Sequence, residues 1–146
     1  MWLSICKEMA SYMRTLLKVF IILGCLLQAE NVFAQNEGYD VFIPISKYLA
    51  QGNTDNLSAW FADNLEISVI SSSNNCSKNQ AKQILRTFFE SHTPRSFDIT
   101  HTAGKSNMKY ALGTLNAGGE SYMVTIFASY SSDRYKIQQI KIERTQ

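Results

Sequence analysis

Two histidines, one cysteine and a scatter of carboxylates are the reactive side chains beyond position 34. A metal centre needs His, Cys, Asp or Glu side chains that converge on one point. His92, at the end of a predicted helix, and His101, in a predicted strand, have no such spacing, so no metal is expected. Gly104-Lys105-Ser106 has the form of the end of a phosphate-binding loop. The full motif needs a glycine where Ile99 stands and a helix where a strand is predicted, so the tripeptide reads as a hairpin turn. Cys76 lies in a Ser/Asn stretch with no histidine near it in sequence to lower its pKa. Acid–base catalysis wants a carboxylate turned into an apolar pocket. Asp98 alternates against Phe97 and Ile99, and Glu66 against Leu65 and Ile67. Asp63, Glu90, Glu120, Asp133 and Glu143 fall at turns or element ends, so no acid points inward. Serine is common, but no Gly-x-Ser-x-Gly elbow accompanies it. His101 shares strand parity with Phe97 and Ile99, and it is the polar group best placed for a pocket.

The elements that would position these groups come in the order α-α-β-α-β-β-β-β. A first helix is predicted over Asp40–Gln51, with Val41, Ile45, Tyr48 and Leu49 on one face and Pro44 in the first turn. Gly52 stops it, and Asn53 caps a short second helix reaching about Ala62, with Leu57, Trp60 and Phe61 inward. Residues 64–70 alternate as a strand, and Ser71–Asn75 read as a polar loop. Ser77-x-x-Gln80 is a capping box that opens a third helix over Lys78–Ser91, with Ala81, Ile84, Leu85, Phe88 and Phe89 inward. Four strands follow. Met108, Tyr110, Leu112 and Thr114 share a face of the second, and Asn116–Gly119 form a turn. The third is apolar on both faces, with Tyr122, Val124, Ile126 and Ala128 on one and Met123 and Phe127 on the other. In the fourth, the change of parity between Ile137 and Ile140 predicts a bulge.

The whole is an α+β domain, three helices packed on a curved antiparallel sheet in the shape of a cone. Its interior pocket would be lined by His101, Tyr110, Phe97, Trp60 and Phe88. The strand with two apolar faces has a second face to hide, which predicts a homodimer through the sheet.

Residues 1–34 read as an address. Lys7, Arg14 and Lys18 precede nine apolar residues, 19–27, and Val32-Phe33-Ala34 precedes Gln35. This is the pattern of a secretory signal peptide cleaved between Ala34 and Gln35, with Met13 as an alternative start. The apolar run is about half the ~20 residues that span a bilayer, so no permanent membrane span is expected. Ile22-Leu23-Gly24-Cys25 offers a second reading, a lipobox that would lipidate Cys25. The exported chain, in the periplasm or outside the cell, is then residues 35–146, one domain with Cys76 as its one thiol. The full chain has a net charge of +2 and no basic cluster, which excludes an obvious nucleic-acid binder.

The element order and lengths resemble the nuclear transport factor 2-like, cystatin-like cone fold. The stretch over residues 49–67, from Leu49 through Gly52-Asn53 and Trp60-Phe61-Ala62-Asp63-Asn64-Leu65-Glu66-Ile67, is similar to the opening of many such domains. The segment Gly104–Gly113 resembles an exported bacterial family, domain-of-unknown-function family 4783. The resemblance implies a fold and an export route, and no activity or cofactor. Three functions are open: a non-catalytic binding module for a small apolar ligand or a protein partner, a small enzyme using His101 and Tyr110, and a structural or assembly subunit of the cell envelope.

Overall fold

The computed structural model describes residues 2–26 and 37–146, with side chains described over residues 2–21 and 41–146. The chain divides into two units, Met1–Gln35 and Asn36–Gln146. The first holds α1 (Trp2–Leu26). Among the described residues no helix is long and apolar enough to cross a membrane. Ala34 and Gln35, the predicted cleavage pair, lie outside the described residues, as does the Cys25 side chain.

The second unit is built from α2 (Glu37–Gln51), α3 (Thr54–Ser58), β1 (Phe61–Val69), β2 (Ser72–Ser77), α4 (Lys78–Ser91), β3 (Pro94–Lys105), β4 (Met108–Ala117), β5 (Glu120–Ser131) and β6 (Arg134–Arg144). Six strands form one sheet in the order β2-β1-β6-β5-β4-β3. It is mixed rather than antiparallel throughout, because β1 pairs parallel with the last strand, β6. The first long strand thus lies beside the last, and β2 and β3 are left as the two edges of an open sheet.

Three sequence expectations need correction. α2 extends to Glu37, which puts Pro44 inside the helix rather than in its first turn. The ring removes the N–H that would bond the carbonyl four residues back. The fully buried face of Phe42, Ile45 and Leu49 supplies the packing that holds the helix together across that gap. The short helix ends at Ser58, and Phe61 already belongs to a strand. The stretch read as a polar loop is largely strand β2, paired with β1 from Val69↔Ser72 to Asn64↔Ser77.

The helices sit on one face of the sheet. Ala111 and Leu115 of β4, Val124 and Ile126 of β5, and Ile140 and Ile142 of β6 meet Phe42, Ile45, Leu49, Leu57 and Leu85 in a single core. Every buried side-chain nitrogen or oxygen among the described residues has a hydrogen-bond partner. α4 starts on the predicted capping box: Ser77 Oγ accepts from Gln80 N at 3.3 Å, and Gln80 Oε1 accepts from Ser77 N at 3.0 Å. Ser77→Ala removes the acceptor for one orphan helix donor and should cost about 1 kcal/mol, read as a lower urea midpoint with an unchanged slope. An unchanged midpoint would mean that water replaces the cap without penalty.

Candidate functional site

One β-bulge, in β3, and the alternation of β4 decide where two of the candidate side chains lie. In β3, Ile99 pairs with Gly113 but His101 pairs with Leu112, so Thr100 is an extra residue. Thr100 Oγ1 donates to Leu112 O at 3.1 Å across the irregularity. The bulge reverses parity. Phe97 and Ile99 face the helices, whereas His101 is exposed on the opposite face, contrary to the sequence expectation. β4 corrects the second candidate. Its buried residues are Lys109, Ala111, Gly113, Leu115 and Ala117, so Tyr110 stands on the outer face with Met108, Leu112 and Thr114. Leu115 is the one large apolar side chain of β4 on the helix face, and Phe97 occupies the space over Gly113.

The five candidates therefore divide. Phe88 and Phe97 are buried core residues and Trp60 packs against the core, while His101 and Tyr110 belong to the outer face. The concavity that Phe97 lines, with Ile43, Ser46, Asp98 and Ile99, has a volume of about 260 Å³. That is below the ~300–1,000 Å³ of small-molecule sites.

The outer face is a surface in its own right. Tyr110 of β4 lies opposite Phe127 of β5, which lies opposite Gln139 of β6, which is level with Glu66 of β1. Neighbouring rows add His101–Leu112–Thr125–Lys141 and Thr114–Met123–Glu143. Met108 and Met123 are 45% and 38% exposed. The apolar centre is bordered by polar pairs: Gln139 Nε2 donates to Glu66 Oε2 at 2.9 Å, and Lys141 Nζ lies 2.8 Å from Glu143 Oε1.

Two clusters were missed by the sequence reading. Lys109 is buried, with Nζ 4.8 Å from the centre of the Tyr135 ring. Tyr135 stands edge-on to Tyr130 at 5.2 Å and donates its hydroxyl to Ser106 O, tying β6 to the β3–β4 hairpin. The signal was present: Lys109 shares parity with Ala111, Leu115 and Ala117. The second cluster surrounds Tyr122, whose hydroxyl donates to Glu120 Oε2 at 2.8 Å. Burial, then the hydrogen bond to Glu120, holds the phenol above its ordinary pKa, so it keeps its proton. His92 stacks on Phe88 at 4.7 Å with Nδ1 3.2 Å from Phe88 O, the stance of a helix-terminal ring. Burial raises the Cys76 thiol pKa, and Sγ lies 3.7 Å from Leu65 O, which makes this sulfur a poor nucleophile. No group of three His, Cys, Asp or Glu side chains able to hold a metal occurs among the described residues.

A family model described as domain of unknown function (DUF4783) matches residues 42–143. No curated protein matches the chain. Among solved structures, a DUF4783 family protein from Bacteroides uniformis is 22% identical with a TM-score of 0.68, over 70% of this chain and 95% of that one. A domain of unknown function with a cystatin-like fold from Nostoc punctiforme is 8% identical with a TM-score of 0.58, covering 70% and 72%. An NTF2-like protein of unknown function from Cytophaga hutchinsonii is 7% identical with a TM-score of 0.55, covering 74% and 89%.

Proposed function

This chain belongs to the DUF4783 family, of unknown function and NTF2-like, cystatin-like fold, and on that premise we propose that it is an exported, non-catalytic binding module that pairs with a second copy of itself through the uncovered sheet face. The reading rests on the stripe of Met108, Tyr110, Leu112, Met123 and Phe127, which adjoin one another in the register and alternate with the buried core positions of β4 and β5. Water against such a stripe is unfavourable, and a partner removes it. A second copy fits for two reasons. The rim carries both signs of charge, Glu66 and Glu143 with Lys141, so the patch does not repel itself across a two-fold axis. The face is also large enough. Five strands at ~4.8 Å spacing and ~30 Å length offer roughly 700 Å², near the ~800 Å² per partner of a stable interface. Export through the 34-residue leader supports a site of action in the periplasm or outside the cell.

Native mass spectrometry of the protein purified from its own host tests this reading. The expected species is a dimer of chains cleaved after Ala34. Phe127→Glu places a charge at the centre of the face and should give a folded monomer with an unchanged circular dichroism spectrum. A wild-type monomer at micromolar concentration, or a dimer indifferent to Phe127→Glu, overturns the proposal. A monomer retaining a small apolar molecule would favour a ligand in the cone instead.

A further inference from the structure

The two edges of the sheet differ. β3, at one edge, begins with Pro94, carries Arg95, Asp98 and Lys105, and is irregular at two places. Charge, proline and bulges are the devices that stop another strand from adding to an edge. β2, at the other edge, is Ser-Ser-Asn-Asn-Cys-Ser, with no charge, no proline and an unbroken register to β1. Among the described strands β1 is its one partner.

Beside that edge runs an open groove of about 510 Å³, between Asn74, Asn75 and Cys76 of β2 and Asn79, Gln80 and Gln83 of α4. Successive strand side chains point to opposite faces, so three consecutive residues cannot line a groove from one face alone. The groove therefore follows the edge of the strand, where backbone N–H and C=O groups have no ladder partner. Its walls are rich in carboxamides and hold no charged side chain. A carboxamide carries both donors and acceptors, the same set as a peptide backbone. Gln80 Oε1 is already engaged by Ser77, which leaves its amide group, with Asn79 and Gln83, on the helix side. Ile84 supplies an aliphatic floor. No aromatic ring lines the groove, so a sugar would find no stacking platform there.

We propose that this groove takes an extended, uncharged peptide segment, which adds to the edge of β2 as a further strand while the α4 carboxamides hold its outer groups. The site is separate from the sheet face, so it stands or falls independently of self-association.

The probe is a capped hexapeptide of alternating threonine and valine, N-methylated along one edge so that it cannot stack on itself. It is titrated to about 1 mM into the ¹⁵N-labelled protein purified from its host. The backbone amides of Ser72–Ser77 and the side-chain amides of Asn79 and Gln83 are expected to shift together. The same peptide N-methylated on both edges should bind at least about tenfold more weakly, since it cannot donate to a strand. Asn79→Ala with Gln83→Ala, both on the exposed side of α4, should weaken the first peptide by about tenfold and leave thermal stability unchanged. An absence of shifts, equal shifts with both peptides, or shifts of the same amides by maltohexaose instead overturns the proposal.

Discussion

Tyr122→Ala should lower the unfolding free energy by about 3–5 kcal/mol, a large share of the ~5–15 kcal/mol that holds a domain of this size together. Tyr122 is fully buried where the end of α4 meets β5. Its ring stands edge-on to Phe88 at 5.4 Å and to His92 at 5.8 Å, and those two rings stack on each other. Truncation empties the centre of a three-ring cluster whose other members, Phe88 in α4 and His92 at its C-cap, are held by the helix end and cannot close the gap. Urea unfolding followed by circular dichroism reads the loss, and a change below about 1 kcal/mol would show that the cluster relaxes into the space. Tyr122→Phe separates the ring from the hydroxyl. It should cost only about 0.5–1.5 kcal/mol near neutral pH. The folded-state pKa of the phenol is raised, so the hydroxyl contributes fully below the ordinary tyrosine pKa of about 10 and loses its contribution as pH rises through the folded value. Wild type should therefore lose stability above about pH 10 more steeply than Tyr122→Phe. Parallel alkaline limbs would mean that the phenol ionises without disturbing the fold.

The contrast between two bulges explains how much of this protein was legible in its sequence. Both were there to be found, and one was. In β6, Ile137 pairs with Ala128 and Gln139 with Phe127, so Gln138 is the extra residue. Isoleucines on either side of it, Ile137 and then Ile140 and Ile142, record the change of parity, because all three must be buried. In β3 the extra residue is Thr100, followed by His101 and Thr102, and polar side chains at an edge carry no burial requirement that would mark the reversal. That silence put His101 on the wrong face. β2 was missed for a related reason. Its only buried residue is Cys76, and its strand form is imposed by pairing with β1 rather than by any alternation of its own. The capping box, the amphipathic face of α4 and the core face of β5 were legible because each is a local pattern with a local cause. The outer face was legible only in part. Met123 and Phe127 were placed on it, while Tyr110 was expected inside because its strand was judged by side-chain size, without the ring that fills the opposite face.

That ring leads to the second large effect. Gly113→Ala should destabilise the fold by about 2–3 kcal/mol, although alanine is the better residue in an ordinary strand. A Cβ at Gly113 would lie 2.5 Å from Phe97 Cζ and 2.8 Å from Asp98 O. The first obstacle is a side chain and the second is the backbone of the neighbouring strand, so rotating Phe97 away does not make room. The β3–β4 ladder must open, at the step before the Thr100 bulge. The same close approach allows Phe97 to cover a strand whose neighbours to Leu115 on that face are Gly113 and Ala117. A double-mutant cycle with Phe97→Leu divides the two clashes. If the ring is the main obstacle, the coupling should recover about 1–2 kcal/mol. The residue left over after that recovery measures the backbone contact with Asp98. Full additivity would place the whole cost on the ladder, and a Gly113→Ala protein as stable as wild type would mean that β3 moves freely at this point. Such freedom would weaken the assignment of faces itself, because the bulge that turns His101 outward sits one step beyond Ile99, the residue paired with Gly113.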